Sequence, residues 1–390
     1  MKCKSESQLL SEDVVIDVLT RLSVKSLLRF RCVCKHWYSL IINSRFITNH
    51  LHQSSNSARL LVYHYTTTAE KNIIFSLFLD ETLASFLLLH YDFDDVQVPN
   101  ELGMLGSFNG ILGLWHWDRI ALWNLATREF RKVLMPKPHL PSHFYVYHCY
   151  YGLGLDPATT DYKVVLIRNY WDREKNDPYF PRVVTVYNLF TDSWRLFEDS
   201  SPSSFVYESS SNTYMNGLYY WLTNDDTNQF YAILSFDMRN EVFRHVPGLP
   251  NLSQMECGVV VMYIDSIALI YFDRQKAEKH FDIWVMEEYG CWTKQLTIGP
   301  LLDVEWPLGF WKNGELFLKT GTEDLVLYDQ NTREIKNLQH HECDIFMYKE
   351  SLVSVSGENK GREGEDRSNM ARLKDSLPFH PRGTQKISNG

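Results

Sequence analysis

Five segments of this chain repeat one short pattern, and its spacing restricts the fold more than any other feature. An aromatic residue in an apolar stretch is followed, after a polar turn, by a second aromatic or aliphatic residue. The pairs are Trp123 and Phe130, Tyr187 and Trp194, Phe236 and Phe243, Trp284 and Trp292, Tyr328 and Ile335. The inner offsets are 7, 7, 7, 8 and 7, and the steps between first anchors are 64, 49, 48 and 44. A constant inner offset with a period of roughly 40–50 residues marks the blades of a propeller. Asn, Asp, Thr and Gly between the anchors make each unit a hairpin, with aromatics packing between sheets. Asn109-Gly110, Asn216-Gly217 and Asn313-Gly314 lie upstream of three anchors. Each predicts a further hairpin, and so four strands per blade. With strands also expected around Leu60–Tyr63, Ile73–Leu79 and Phe346–Val355, the count comes to about six blades. The long first step holds an aromatic and charged insertion, Asn169–Pro181, expected to be a loop outside the core.

The first fifty residues follow a different period. Val14, Val15, Val18, Leu19 and Leu22 form one helical stripe, with Ser11 as N-cap and Glu12 and Asp13 on the first turn. Ser23 can cap a second helix carrying Leu27, Leu28 and Phe30, and a third carries Val33, Trp37, Leu40 and Ile41. Three helices in about 35 residues fall below the ~40 needed for a self-sufficient core. Their apolar surface must be covered by another protein or by the β body, and the pattern alone leaves both open. The fold class is therefore mainly β, with a small all-α N-terminal domain followed by a propeller-like body of about six blades. The domains are expected at residues 5–50 and 58–356. Residues 357–390, rich in Gly, Ser and charge, read as a disordered tail.

Charge divides the chain the same way. Of the net −9, residues 1–52 carry +4 and residues 357–390 carry +2, so residues 53–356 hold −15. A basic head on an acidic body calls for an acidic partner at one end and a basic one at the other, solubility being the plainer reading of the body. A surface of that sign repels phosphates and disfavours nucleic acid. No apolar run reaches the ~18–20 residues of a membrane helix, and the first residues have no secretory apolar segment. Seven scattered cysteines in such a chain read as reduced thiols of the cytosol or nucleus.

The stretch from Leu10-Ser11-Glu12-Asp13 to Val33-Cys34-Lys35-His36-Trp37 resembles an F-box, whose pattern is Leu-Pro-x-Asp, Ile-Leu-x-x-Leu-Pro and a basic helix ending Val-Cys-Lys-x-Trp. Both prolines of the pattern are serine here, Ser11 and Ser23. A serine N-cap can start a helix in proline's place, at some loss of partner contact. The resemblance implies a Skp-type adaptor and, through it, cullin and RING subunits of a ubiquitin ligase. It implies that Leu10, Asp13, Leu19, Leu22, Leu27, Leu28, Arg31, Val33, Cys34 and Trp37 bind the adaptor. In the body, the stretch from Tyr151-Gly152-Leu153-Gly154-Leu155-Asp156-Pro157 to Tyr162-Lys163-Val164-Val165, with Ser235-Phe236-Asp237-Met238, Ile283-Trp284-Val285-Met286 and Trp311-Lys312, resembles the type-1 F-box-associated, kelch-like domain of plants. The S-locus F-box and S-locus-F-box-like group is similar, and implies a basic ribonuclease as target in self-incompatibility. The acidic Asp92, Asp94 and Asp95 and the aromatic Tyr170, Trp171 and Tyr179 are the candidates for gripping a target.

Enzymatic and metal chemistry find little support. Metal-protease, phosphate-loop and nucleophile-elbow patterns are missing from the sequence. Cys32-x-Cys34 is too tightly spaced for a zinc pair and reads as core packing. Gly152-x-Gly154 lacks the third glycine of a nucleotide loop. His139, His143, His148 and Cys149 lie in or beside a proline-rich loop, and they read as surface residues, as do His340, His341, Glu342 and Cys343. Asp92, Asp94 and Asp95 lack the spacing of a calcium loop and otherwise read as a solvated edge. The expectation is thus no catalytic residue, no metal and no cofactor. A substrate receptor of a ubiquitin ligase is favoured over a propeller enzyme (hydrolase or lyase) and over a scaffold that no longer engages a ligase.

Overall fold

The structure is a computed structural model. It describes residues 11–356 and 385–386, without 54–57, 65–71, 79–81, 84, 93–102, 117, 138–139, 175–181, 198–212, 225–230, 248 and 250–255. Leu10, Asp94, Asp95, Tyr179 and, apart from 385–386, the expected disordered tail 357–390 thus lie outside the described residues. Four helices open the chain: α1 (Glu12–Thr20), α2 (Val24–Phe30), α3 (Lys35–Ile41) and α4 (Ser44–Gln53). Among the described residues, twenty-four strands then form six antiparallel sheets, the blades of a propeller.

Blade 2 consists of β4 (Gly103–Phe108), β5 (Ile111–His116), β6 (Arg119–Asn124) and β7 (Glu129–Leu134). Blade 3 holds β8 (Phe144–Leu155), β9 (Tyr162–Asp172), β10 (Arg182–Asn188) and β11 (Ser193–Phe197). Blade 4 holds β12 (Tyr214–Met215), β13 (Leu218–Asn224), β14 (Tyr231–Asp237) and β15 (Val242–Val246). Blade 5 holds β16 (Glu256–Tyr263), β17 (Ser266–Asp273), β18 (Lys279–Glu288) and β19 (Cys291–Leu301), and blade 6 holds β20 (Val304–Phe310), β21 (Leu316–Thr320), β22 (Asp324–Asp329) and β23 (Glu334–His341). Blade 1 joins the two ends of the propeller. Its strands β1 (Arg59–His64), β2 (Asn72–Phe78) and β3 (Ser85–Asp92) are completed by β24 (Cys343–Tyr348), which pairs with β1 from Arg59↔Tyr348 to His64↔Cys343. A two-residue strand, Gln385–Lys386, pairs with β3.

The repeat is a turn rule. In blades 2, 3, 4 and 6 the two anchors face each other across the outer hairpin, as Trp123↔Phe130, Tyr187↔Trp194, Phe236↔Phe243 and Tyr328↔Ile335. Two residues before each second anchor the backbone is left-handed, at Arg128, Asp192, Glu241, Gly290 and Arg333. After three first anchors an Asn or Asp side chain accepts from the backbone two residues on: Asn124 from Ala126, Asp237 from Arg239, Asp329 from Asn331. That closed turn fixes the offset of seven. In blade 5, Trp292 instead faces Met286, with a register shift between Met286 and Glu288, and the extra residue gives the offset of eight. Apolar clusters fill the seams between blades; one joins Leu234 and Phe236 of blade 4 to Val165, Ile167, Val184 and Val186 of blade 3.

Two expectations change. The strand around Phe346–Val355 ends at Tyr348, and residues 349–356 run as an irregular strap. The insertion begins later than expected: Asn169, Tyr170 and Asp172 are buried in β9, because β8 and β9 are long enough to carry their ladder to Phe144↔Asp172. Gly152 and Gly154 serve packing, since a Cβ at Gly154 would lie 2.4 Å from the Tyr214 ring and one at Gly152 2.7 Å from Trp221.

Candidate functional site

The head begins with three caps of different quality. Ser11 stands before α1, but its side chain makes no capping bond. Ser23 Oγ accepts from the Ser26 amide at 3.4 Å and starts α2. Cys34 Sγ accepts from the Trp37 amide at 3.5 Å and starts α3. Cys32 and Cys34 are both exposed, which replaces the core-packing reading: Cys34 is a helix cap. The fourth helix was missed by the sequence reading. Its signals are Phe46, Ile47, His50 and Leu51 at helical spacing, after Asn43, whose Oδ1 accepts from the Arg45 amide at 2.9 Å.

These helices share a core of Leu19, Val24, Leu27, Ile41 and Phe46. Two of the residues expected at the adaptor surface, Leu19 and Leu27, therefore point inward and hold the helices together. Leu22, Leu28 and Trp37 are half-buried against the same cluster, with the Trp37 ring 5.3 Å from Phe30. Arg31 is half-buried, while Asp13, Val33 and Cys34 are exposed. The stripe read on α1 splits: Leu19 goes in, while Val14 and Val18, one turn apart, stay 45% and 51% exposed. Val33 and Tyr38 are exposed to 60% and 46%. These four apolar side chains lie on a head far too small to leave them uncovered without a cost in solubility, and such exposure marks interaction surfaces.

The propeller has two rims. The β4–β5, β8–β9 and β12–β13 turns share one, since Asn109 donates to the Tyr162 hydroxyl at 3.1 Å and Gly217 packs on Pro157. The head sits on this rim, where Ala126 and Leu352 join its core. β9 runs away from it over a length of roughly 30 Å, so Trp171 lies on the opposite rim, half-buried and paired with Tyr145. The Arg173 guanidinium stacks 4.8 Å from the Tyr145 ring. β3 ends in the same direction at Asp92, its Cα paired with Asn72. Tyr170 does not join this surface, being 4% exposed and held inside the sheet.

Several ionisable groups are buried, and their partners are structural. Lys163 Nζ lies 3.1 Å from Asp156 and 2.8 Å from Glu241, and donates to the Met238 carbonyl at 2.6 Å. Burial alone raises Asp156, but hydrogen bonds from the Ala158 amide and Lys163 outweigh it and hold the carboxyl below its ordinary value. The Arg119 guanidinium, bonded to Asp118, pulls that carboxyl down to about 2. Beside the closing strand, the His340 ring sits 4.9 Å from His64, and burial with the neighbouring imidazole drops His340 to about 4.

Residues 80–360 match the model of the F-box associated beta propeller domain, and residues 8–49 match the F-box domain. The chain belongs to the F-box proteins with an associated β-propeller. This F-box protein is 26% identical over 379 residues to F-box protein CPR1 of Arabidopsis thaliana, across 88% of this chain and 87% of that one. It is 26% identical over 337 residues to the F-box/kelch-repeat protein At3g23880 of the same plant, across 81% and 86%. Among solved structures, an oligogalacturonate lyase in complex with manganese superposes with a TM-score of 0.41 at 10% identity, covering 71% of this chain and 77% of that one. That likeness is too distant to bear on activity. For an F-box protein the head implies a Skp-type adaptor, and the propeller implies a protein target. Among the described residues of this F-box protein, no helix is long and apolar enough to cross a membrane.

Proposed function

We propose that this chain is the substrate-recognition subunit of a Skp–cullin–F-box ubiquitin ligase. In this reading the head binds the adaptor and the propeller presents a target for ubiquitination. The observation that carries it is the apolar surface of Val14, Val18, Val33 and Tyr38, left outward on a head whose remaining apolar residues are packed. A basic head suits an acidic adaptor. Asp13, Val33 and Cys34 are the family positions left exposed on the head, while Leu19, Leu27, Leu28 and Trp37 contribute by holding the helices.

The rim away from the head, with Asp92, Tyr145 and Trp171, is the surface we assign to the target. The net −15 of residues 53–356 supports a basic protein there, and a secreted ribonuclease of the kind implied by the S-locus resemblance has that charge. The Lys163–Asp156–Glu241 group and the Arg119–Asp118 pair brace the fold, which supports a receptor over a hydrolase or lyase. The test is a pull-down of a purified Skp-type adaptor by the full chain and by the Val18→Glu/Val33→Glu double variant. Capture by the first and at least tenfold weaker capture by the second, with unchanged thermal unfolding, is expected. Equal capture by both would move the adaptor surface elsewhere.

A further inference from the structure

The strap that follows the closing strand belongs to two cores at once. Leu352, 1% exposed, lies in the head's cluster with Leu19, Val24, Leu27, Ile41 and Phe46. Val353 and Val355 lie in the cluster between blades 2 and 3, which also takes in Leu51 of α4. Polar bonds pin the backbone between them. The buried Asn124 amide donates to the Ser351 carbonyl at 3.1 Å and to the Val353 carbonyl at 2.7 Å. Glu129 Oε2 accepts from Ser354 Oγ at 2.6 Å and from the Val355 amide at 2.9 Å. Lys349 donates to the Leu51 carbonyl at the end of α4, and Glu350 pairs with Arg59 at 3.1 Å. The approach is close enough to need a glycine. Gly110 has φ +79°, and a Cβ there would lie 2.5 Å from Ser351 Oγ and 2.6 Å from the Lys349 carbonyl.

We propose that the strap Lys349–Ser356 couples ring closure to the adaptor-binding state of the head. β24 ends at Tyr348, so only Lys349, Glu350 and Ser351 separate the last ladder pair from Leu352. A span that short has no slack. Opening the β24–β1 ladder withdraws Leu352 and removes one wall of the head's core, and loosening the head frees the strap from the closing strand. The two events therefore share a free energy, and by linkage whatever binds the ordered head also favours the closed ring. A chain whose propeller has not closed presents an incomplete head, so only finished receptors are loaded into the ligase.

This rests on the reading of the head as an adaptor surface, and the experiment separates the two claims. In the full chain, Leu352→Asp, the conservative Leu352→Met and Asn124→Ala are compared by hydrogen exchange, with and without a purified Skp-type adaptor, and by calorimetric titration of that adaptor. Leu352→Asp should speed exchange in α1–α4 and also in β24 and β1, leave β13, β14 and β17 protected, and weaken the adaptor at least tenfold. Leu352→Met should stay within threefold of the parent, and Asn124→Ala should fall between. Adaptor binding to the parent should slow exchange in β24 and β1, which it does not touch. Unchanged exchange in β24 and β1 in Leu352→Asp, or upon adaptor binding, overturns the coupling. If the parent fails to bind the adaptor, the adaptor reading falls, while exchange in the free variants still decides the strap.

Discussion

The propeller and the head bury apolar surface on different scales. In the propeller, blades 2 to 6 carry the same kind of outer hairpin, so each anchor finds its partner within ten residues of sequence. The head has four helices of 7 to 10 residues, and its core is finished by Leu352 from the far end of the body. A repeated module tolerates local damage by its redundancy; a small unit completed from outside depends on a few distant contacts. The contrast places cooperative stability in the wheel and conditional stability in the head.

The largest blow to this contrast would come from an anchor. Phe236 is fully buried with its ring 4.9 Å from Phe243, and Phe236→Ala should cost about 3–5 kcal/mol. Chemical denaturation should show the propeller unfolding earlier; a loss below about 1 kcal/mol would mean that the anchors are interchangeable filler. Next comes Leu27→Ala in the head, where about 2–4 kcal/mol is expected. Its effect in hydrogen exchange should reach α1–α4 and, through the strap, β24 and β1 alone, and a uniform rise across the blades would erase the distinction between regions.

Acid should act on the seam of the ring. His340 falls from 6.5 to about 4 by burial, and His64 moves the same way. The folded state thus binds fewer protons than the unfolded one, and stability declines as pH drops from about 6.5 toward about 4. The loss is on the order of 1–3 kcal/mol. His340→Phe, set among Phe78 and Phe86, should flatten that part of the pH–stability curve; an unaltered slope would assign the effect to other groups. The smallest effect belongs to Cys34→Ala, about 0.5–1 kcal/mol from the lost cap of α3, with Cys34→Ser near the parent. Identical melting of both variants would show the thiol cap to be idle.

How far the sequence could be read depends on where each partner lies along the chain. The blade count was legible because the anchors are cross-strand neighbours, and turn chemistry sets their spacing. The left-handed turn residues were not, since Arg128, Glu241 and Arg333 occupy a conformation that glycine or asparagine usually announces. Tyr170 read as a loop aromatic because strand ends carry no sharp local mark. On the head, helical spacing found the apolar residues but could not sort Val14 and Val18 from Leu19.

By itself the sequence determined two architectures: a period of nearly fifty residues that only a ring of blades satisfies, and a short helical segment bearing more apolar side chains than it can enclose. Both follow from local interactions, hairpin turns and helical spacing, which neighbouring residues specify alone. Tertiary structure decided which head residues stay outward, that β24 closes the ring, that Leu352 completes the head's core, and that Lys349 bonds the Leu51 carbonyl 298 residues away. Those depend on loop closure across the whole chain, where the entropy of joining distant ends is offset only after every intervening blade has packed.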